Sequence, residues 1–297
     1  MTRPWTAADL PDQSDRTFLV TGATSGIGRA TAEALAAAGS RVVLAVRNED
    51  KGSAVAASIT AAVPGARLEV RRLDLADLAS VRAFATSWAG PIDVLINNAG
   101  VMSITLARTK DGFELQFGTN HLGHFALTHL LLPMITDRVV VVASNAHKWA
   151  RIDFDDLNWE RRRYRPAQAY GQSKLANLLF ALELDRRLRP DGRRAIAVHP
   201  GWARSSLGVS QLGRAAGVAS HAVGTVFGQS AEAGALPSLY AAVQDLPGGS
   251  YVGPDGRRGN RGYPALVGRT ALAADAALAR RLWDRSTELT ASRAPEN

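Results

Sequence analysis

Short apolar runs rich in β-branched residues alternate along the chain with longer segments rich in alanine and leucine. The short runs are TFLVTG, RVVLAV, RLEVRRL, IDVLINNAG, RVVVVAS and RAIAVHP. The longer segments cover residues 26–39, 50–63, 77–89, 112–133 and 168–188. Nearly continuous apolar strands that alternate with helices are typical of a parallel sheet covered on both faces. The pattern therefore predicts an α/β fold, with a doubly wound parallel sheet in three α/β/α layers and a single domain over residues 1–297.

The pattern changes after His199. Segment 205–230 contains many glycines, serines and alanines but few large apolar residues, which indicates a mobile segment with short helices. We expect three further elements after it: a helix at 230–244, a short strand and turn at 249–256, and a C-terminal helix at 270–290. The apolar side of the last helix is predicted to consist of Leu272, Leu278, Leu282, Trp283 and Leu289.

The composition is that of a globular protein without disulfides. Of the 297 residues, 46% are hydrophobic, which is sufficient for a sizeable core, and none is cysteine. The N-terminal sequence MTRPWTAADLPDQSDR lacks the apolar centre of a signal peptide, and the longest apolar runs are too short to cross a bilayer. We therefore expect a cytoplasmic protein with no membrane partner.

The net charge of +8 raises the possibility of a nucleic-acid partner. The densest basic group, WERRRYR at 159–165, mixes arginines with aromatic residues, a combination that can bind nucleic acid. Several acidic residues accompany it in the sequence, namely Asp153, Asp155, Asp156 and Glu160. These neighbours favour a solvated basic loop, and we expect no nucleic-acid partner.

The segment TGATSGIG, residues 21–28, follows the first predicted strand and opens the first predicted helix. Gly22, Gly26 and Gly28 allow a tight turn and let a pyrophosphate approach the main chain. The helix N-terminus adds unpaired N–H groups and a partial positive charge. An ordinary strand-to-helix turn is the alternative, but three glycines in this context favour a dinucleotide site.

The end of the second predicted strand indicates which dinucleotide is bound. An acidic residue at this point would bind the adenosine ribose hydroxyls of NAD, but Val46 stands there and Arg47 follows. A guanidinium can bind a 2′-phosphate through two parallel hydrogen bonds. The sequence therefore predicts NADP(H) as the cofactor, with a plain surface arginine as the alternative.

Tyr170 and Lys174 are four residues apart in a predicted helix and therefore lie on the same face. A free tyrosine has a pKa of about 10, which is high for proton exchange at neutral pH. A neighbouring ammonium favours the phenolate, so we expect Lys174 to lower the pKa of Tyr170 and make it an acid–base catalyst. The leucines at 175, 178, 179 and 182 would bury the opposite face.

The glycine loop, NNAG at 97–100 and Tyr170-x-x-x-Lys174, in this order, resemble the short-chain dehydrogenase/reductase family over about residues 15–205. More narrowly, VVASNAHKWARIDFDDLNW, AYGQSKLANLLFALEL and VHPGWARSSL resemble its retinol-dehydrogenase-like branch. The resemblance implies a Rossmann fold and an oxidoreductase that interconverts a carbonyl and an alcohol by hydride transfer.

The resemblance also implies roles for individual residues. The catalytic set would be Asn120, Ser144, Tyr170 and Lys174. Ser144 would hydrogen-bond the substrate carbonyl, and Asn120 would hold a water that connects Lys174 to solvent. The cofactor-binding set would be Gly22, Ser25, Gly26, Ile27, Gly28, Arg47, Asp74, Leu75, Asn98, Ala99, Gly100, Tyr170, Lys174, Pro200, Gly201 and Ser205.

The substrate pocket is predicted to involve Met102, Trp149 and Trp202, with segment 205–230 as a lid. Their apolar bulk favours a hydrophobic carbonyl or alcohol. Two alternatives keep the fold: a reductase of C=C or C=N bonds, and a non-catalytic NADP(H) sensor. The four retained catalytic side chains favour an enzyme.

The histidines at 121, 124, 129 and 147 could suggest a metal site. No set of carboxylates or cysteines completes one, so we interpret these histidines as packing, hydrogen-bonding or pocket residues and expect no metal. The oligomeric state is left open between monomer and homodimer. The family often pairs through the helices around Asn120 and Tyr170, and segment 145–166 could block that face.

Overall fold

The computed structural model describes residues 3–102, 105–202 and 229–291. In them, eight strands form one sheet in the order β3-β2-β1-β4-β5-β6-β7-β8. The pairs from β3 to β7 are parallel, and β8 is antiparallel to β7. The strands are β1 Thr17–Thr21, β2 Arg41–Val46, β3 Arg67–Arg72, β4 Ile92–Asn97, β5 Ile135–Val142, β6 Arg194–Val198, β7 Tyr251–Pro254 and β8 Pro264–Leu266.

Helices cover both faces of this sheet, as predicted for a doubly wound fold. They are α1 Gly26–Ala37, α2 Glu49–Ala62, α3 Leu78–Thr86, α4 Leu115–Phe117, α5 Gly123–Leu131, α6 Pro166–Leu188, α7 Ala231–Val243 and α8 Ala276–Ala291. Pro166 stands in the first turn of α6, where the missing N–H of proline removes no helical hydrogen bond. None of the helices in the described ranges is both long and apolar enough to span a membrane.

The continuous apolar strands are explained by two separate hydrophobic cores, one on each face of the sheet. Leu19 belongs to the core that also includes buried residues of α3, α5, α6 and α8. Its neighbours Phe18 and Val20 belong to the core that includes buried residues of α1, α2 and α7. Since successive side chains of a strand point to opposite faces, both faces must be apolar for both cores to form.

The predicted helix at 112–133 differs most from the structure. Its centre, Gly118–Leu122, is a π-helix between α4 and α5, in which the N–H of Gly123 donates to the carbonyl of Gly118. A side chain at Gly118 would lie 2.5 Å from Cγ2 of Thr109, and one at Gly123 would lie 2.3 Å from the Leu75 carbonyl oxygen. Close contacts on both sides thus hold the widened turn that contains Asn120.

Two predictions for the C-terminal region were wrong in detail. The last helix begins at Ala276 rather than at 270, because the carboxylate of Asp275 accepts the N–H groups of Ala277 and Leu278 and so caps it. Leu272 precedes this helix and is 45% exposed, so it is not part of the buried side. Strand β8 was not predicted.

The basic group at 159–165 is folded against its acidic neighbours. The Asp156 carboxylate accepts the backbone N–H groups of Glu160 and Arg162, at 2.6 and 3.1 Å. The Arg162 guanidinium lies 3.7 Å from the ring centroid of the buried Trp159 and 3.2 Å from the Asp153 carboxylate. Arg162 also donates a hydrogen bond to the side-chain oxygen of Gln172 on α6. This loop therefore packs beside α6.

Candidate active site

The predicted functional residues converge at one edge of the sheet, because the parallel strands all end there. Gly22 follows β1, Asn98 follows β4, Ser144 lies just beyond β5 and Pro200 just beyond β6. Between β1 and β4 the strand order reverses direction, and in open α/β sheets this is where ligands bind. Ser205 and nearly all of the predicted lid lie outside the described residues.

The glycine loop is a tight connection that packs against the loop after β4. Gly22 and Gly26 have φ values of +70° and +54°, which favour glycine. A side chain at Gly28 would lie 2.4 Å from Nδ2 of Asn98, and one at Gly22 would lie 2.8 Å from Cα of Ala99. These contacts require glycine at positions 22 and 28 even before a ligand is considered.

Helix α1 starts within this loop and fits an anionic group. Its first turn, which contains Gly26, Ile27 and Gly28, has no acidic residue, and the Ser25 side chain makes no capping hydrogen bond. The first-turn N–H groups, which have no partner within a helix, and the positive end of the helix dipole therefore lie at the glycine loop. A pyrophosphate is the kind of ligand that such a helix start can hold.

Asn98 and Ala99 are held by Thr21, the last residue of β1. The backbone N–H groups of Asn98 and Ala99 donate to Thr21 Oγ1 at 2.9 and 3.0 Å. The Asn98 amide also donates to the Thr21 carbonyl at 2.8 Å. The Asn98 side chain therefore joins the ends of β1 and β4. Gly100, two residues further along the same loop, is partly exposed.

Four further residues of the predicted cofactor-binding set also lie at this edge. Asp74 follows β3 and accepts the N–H of Ala76 at 3.0 Å, and Leu75 is packed against Gly123 of α5. Gly201 has a φ of +67°, and a side chain there would lie 2.4 Å from the Asn260 carbonyl oxygen. The Pro200 carbonyl accepts the side chain of Gln229 at 2.5 Å.

Arg47 is exposed directly after β2, and the buried Val46 precedes it. It forms no ion pair with any residue of the described ranges, although sixteen such pairs occur elsewhere in them. The register pairs Val46 with Arg72 on β3 and Ala45 with Thr21 on β1. Arg47 therefore lies at the sheet edge that carries the glycine loop, and its exposed side chain has no ion-pair partner among the described residues.

Tyr170 and Ser144 meet beside the end of β5. Burial raises the pKa of Tyr170 to about 12, and a hydrogen bond with the Ser144 side chain acts in the opposite direction. The predicted lowering of this pKa by Lys174 is therefore wrong for this structure, because desolvation of the phenolate dominates. At neutral pH the phenol keeps its proton, which suits a proton donor.

Lys174 lies one turn further along α6 and is 3% exposed. Its Nζ donates to the Val142 carbonyl at 3.1 Å and lies 5.7 Å from the ring centroid of Tyr170. Asn177 donates to the same carbonyl at 3.1 Å. Burial lowers the pKa of Lys174 to about 8, so the ammonium is retained at pH 7 but is easily lost in alkali.

Asn120 connects the π-helix to its surroundings. Its side chain accepts the N–H of Val101 at 2.7 Å and donates to the Val101 carbonyl at 3.0 Å. It also donates to Oγ of Ser173, which in turn donates to the Tyr170 carbonyl. The amide thus fixes the loop after β4 against α6, a positioning role that the sequence did not indicate.

The predicted pocket residues lie at the surface. Trp149 and Trp202 are 64% and 57% exposed, and Met102 is 36% exposed. A cavity of about 310 Å³ lies nearby, beyond the ends of β5, β6 and β7, and has mainly polar and glycine residues in its wall. Its lining includes Asn145, Lys148, His199, Asp255, Gly256 and Gly259 but none of the three predicted residues. His199 and Lys148 of this lining were not among the predicted site residues, although His199 directly follows β6.

His121 and His147 each use one ring nitrogen in a hydrogen bond within the fold. His121 Nε2 is 2.8 Å from Oγ of Ser286, and His147 Nδ1 donates to the Ser144 carbonyl at 2.7 Å. In the part of the chain that the structure describes, no three histidine, aspartate or glutamate side chains are grouped as metal ligands would be.

Comparison with known proteins decides the family. A sequence model described as short chain dehydrogenase matches residues 16–212, a stretch that contains the glycine loop, Ser144, Tyr170 and Lys174. The chain belongs to the short-chain dehydrogenase family. Short-chain dehydrogenases are oxidoreductases that use a nicotinamide cofactor, and the glycine loop and the start of α1 described above fit its pyrophosphate.

Individual relatives of this short-chain dehydrogenase define its branch. Human retinol dehydrogenase 13 is 42% identical over 291 residues, which cover 94% of this chain and 86% of the relative. Human retinol dehydrogenase 11 is 47% identical over 199 residues, which cover 65% of this chain and 62% of the relative. An uncharacterized protein from Mycobacterium paratuberculosis has a crystal structure with a TM-score of 0.84 and 51% identity, covering 97% of this chain and 98% of that one. The chain is thus a member of the retinol-dehydrogenase-like branch.

Proposed function

We propose that the protein is an NADP(H)-dependent oxidoreductase that interconverts a carbonyl and an alcohol on a hydrophobic substrate, with Tyr170 as the acid and base. The observation that carries this proposal is the meeting of Tyr170, Ser144 and Lys174 at the sheet edge that also holds the glycine loop. The retinol dehydrogenase relatives support the reaction class.

Different residues at this edge would bind different parts of the cofactor. The loop from Gly22 to Gly28 would hold the pyrophosphate, and Arg47 would bind a 2′-phosphate. By family resemblance, Lys174 would bind the ribose hydroxyls, and Pro200 and Gly201 would contact the nicotinamide. When bound, the nicotinamide supplies or accepts a hydride.

The protein side chains handle the proton and the carbonyl. Tyr170 keeps its proton at neutral pH and would donate it to the carbonyl oxygen as negative charge develops there. The Ser144 hydroxyl would hold that oxygen in place, and the Lys174 ammonium would stabilise the phenolate left after proton donation. In alcohol oxidation the same groups would act in reverse.

Arg47→Ala is expected to reduce the preference for NADPH. Losing a hydrogen-bonded charge pair costs about 1.5–3 kcal/mol, so KM for NADPH should rise roughly tenfold to a hundredfold, while KM for NADH stays nearly constant. Steady-state kinetics with both cofactors measures the change. Arg72→Ala is the matched control, because Arg72 is an exposed arginine on the neighbouring strand. A wild-type enzyme that prefers NADH, unchanged by Arg47→Ala, would contradict the assignment.

A hydrophobic substrate should be recognised through buried carbon atoms. In a homologous series of straight-chain aldehydes, kcat/KM is expected to rise roughly fourfold for each added methylene that is buried, since each is worth about 0.8 kcal/mol. NADPH absorbance follows the rate, and retinal extends the series to a polyene. A flat or falling series would contradict a hydrophobic pocket.

Product identification separates the remaining alternatives. An unsaturated aldehyde such as retinal can be reduced at the carbonyl or at a C=C bond, and chromatography of the product distinguishes the two. An alcohol product supports the proposal, whereas a saturated aldehyde supports the C=C reductase. Tight NADPH binding with no turnover of any carbonyl, alcohol or imine would support the sensor instead.

A further inference from the structure

His124 is a fully buried residue one turn after Asn120, and no role in the proposed reaction has been assigned to it. Its two ring nitrogens have different partners. Nδ1 lies 3.0 Å from the backbone carbonyl oxygen of Asn120, and Nε2 lies 2.9 Å from Oγ1 of Thr21. The imidazole therefore bridges the π-helix and the end of β1.

The partners determine the tautomer of His124. A carbonyl oxygen can only accept, so Nδ1 carries the hydrogen and donates to Asn120. Burial lowers the pKa of His124 to about 4, and the nearby Lys174 charge acts in the same direction, so the ring is neutral at pH 7. Nε2 is then an acceptor, and Thr21 must donate its hydroxyl hydrogen to it.

This assignment uses the full hydrogen-bonding capacity of the Thr21 hydroxyl. It donates once, to His124, and its two lone pairs accept the N–H groups of Asn98 and Ala99. The Ile96 carbonyl is also within 3.4 Å, but that distance is long for an O–H donor. Thr21 is thus the point at which His124, the end of β1 and the loop after β4 are held together.

The Nδ1 bond of His124 connects it, through Asn120 and Ser173, to the backbone of Tyr170. The Asn120 carbonyl lies in the π-helix, where the Gly123 N–H bonds five residues back, and single π turns often occur at functional sites. The Asn120 side chain binds Ser173, whose hydroxyl donates to the Tyr170 carbonyl at 2.8 Å. A shift of Asn120 would therefore be transmitted to the helix that carries Tyr170.

We infer that His124 is a positioning residue that couples the two predicted cofactor-binding loops, which follow β1 and β4, to helix α6, which carries Tyr170. Its bond to Thr21 holds the loops, and its bond to the Asn120 carbonyl leads to α6. This inference rests on the proposed function, because it assigns the two hydrogen bonds of one side chain to two different kinetic steps. The Thr21 bond supports cofactor binding, and the Asn120 bond supports turnover.

Two substitutions separate the bonds. His124→Asn keeps an N–H donor near the Nδ1 position but lacks the Nε2 acceptor. His124→Gln offers an acceptor near the Nε2 position but lacks the donor to Asn120. Leaving a buried polar group unpaired changes an equilibrium or rate constant that depends on it by roughly tenfold or more. We expect His124→Asn to weaken NADPH binding about tenfold with kcat nearly retained, and His124→Gln to lower kcat about tenfold with binding nearly retained.

Thr21 supplies a second test on the cofactor side, because Thr21→Val removes the donor to His124 together with the acceptor of the Asn98 and Ala99 N–H groups. Thr21→Val should weaken NADPH binding, whereas Thr21→Ser, which keeps the hydroxyl, should bind NADPH with nearly wild-type affinity. The double variant Thr21→Val/His124→Asn should bind NADPH no more weakly than the weaker of the two single variants. His129→Asn is the control, since His129 is an exposed histidine of the same helix. Equal losses of kcat and binding in both His124 variants, or no loss in either, would overturn the inference.

The binding measurement keeps this test independent of the substrate. NADPH affinity by fluorescence titration tests the Thr21 bond even if no carbonyl is turned over. In that case the proposed function would fail, while weaker binding by His124→Asn and Thr21→Val would still support the part of the inference that concerns the Thr21 bond. Unchanged NADPH affinity in these variants, in an enzyme that does reduce carbonyls, would reject the coupling and leave the proposed function intact.

Discussion

Tyr170→Phe is expected to lower kcat for carbonyl reduction by about a thousandfold while leaving NADPH affinity within about twofold of wild type. The substitution removes one oxygen, the one that meets Ser144, and leaves the ring beside Lys174. Because burial holds the pKa of this phenol at about 12, it is fully protonated at pH 7 and ready to donate. The loss should therefore appear in the chemical step, which single-turnover NADPH oxidation measures directly.

Tyr251→Phe is the matched control for this substitution. Tyr251 is a buried phenol, and its hydroxyl has no hydrogen-bond partner among the described residues. Tyr251→Phe removes that hydroxyl but keeps Tyr170, so it should change kcat by less than about threefold. If Tyr170→Phe reduced carbonyls at near the wild-type rate, the acid–base role would be wrong, whatever cofactor the enzyme uses.

The sequence predicted the sheet well because most of its strands, such as β1, β2 and β4, are buried on both faces. Phe18 and Leu19 must both be apolar to reach opposite cores, as expected for a parallel sheet that is covered on both faces. The π-helix could not be predicted, since nothing in the residues of Gly118–Leu122 distinguishes a π turn from an α-helical one and its widened turn depends on contacts with Thr109 and Leu75. Strand β8 is three residues long and contains a proline, which disfavours strands in sequence.

The site was predicted as a set of residues but not as a set of interactions. Helical spacing correctly indicated that Lys174 and Tyr170 are neighbours. It gave no measure of desolvation, which depends on everything packed around α6, and so the direction of the Tyr170 pKa was wrong. In the same way, Thr21 and His124 are 103 residues apart, and only the folded chain shows that they are bonded.

Lys174 should set an alkaline limit on the reaction. Its pKa is lowered to about 8, so the ammonium is lost as the pH rises through that value. We expect kcat/KM for carbonyl reduction to be constant below pH 7 and to fall tenfold per unit well above pH 8, because this profile reports groups of the free enzyme. Lys174→Met should reduce kcat/KM at pH 7 by about a hundredfold or more and abolish the alkaline limb.

A gain in stability should accompany this loss of activity and exclude misfolding as its cause. The folded-state pKa of Lys174 lies below its unfolded value, so the unfolded chain binds more protons between about pH 8 and 10.5 and the buried ammonium destabilises the fold below that window. Lys174→Met removes this penalty, and the Val142 carbonyl still receives a hydrogen bond from Asn177. Urea denaturation at pH 7 should therefore show Lys174→Met to be more stable by about 1–3 kcal/mol, with the difference shrinking towards pH 10. A variant that was both inactive and less stable would mean that Lys174 serves the fold, and an alkaline limb that survived Lys174→Met would have to come from another group.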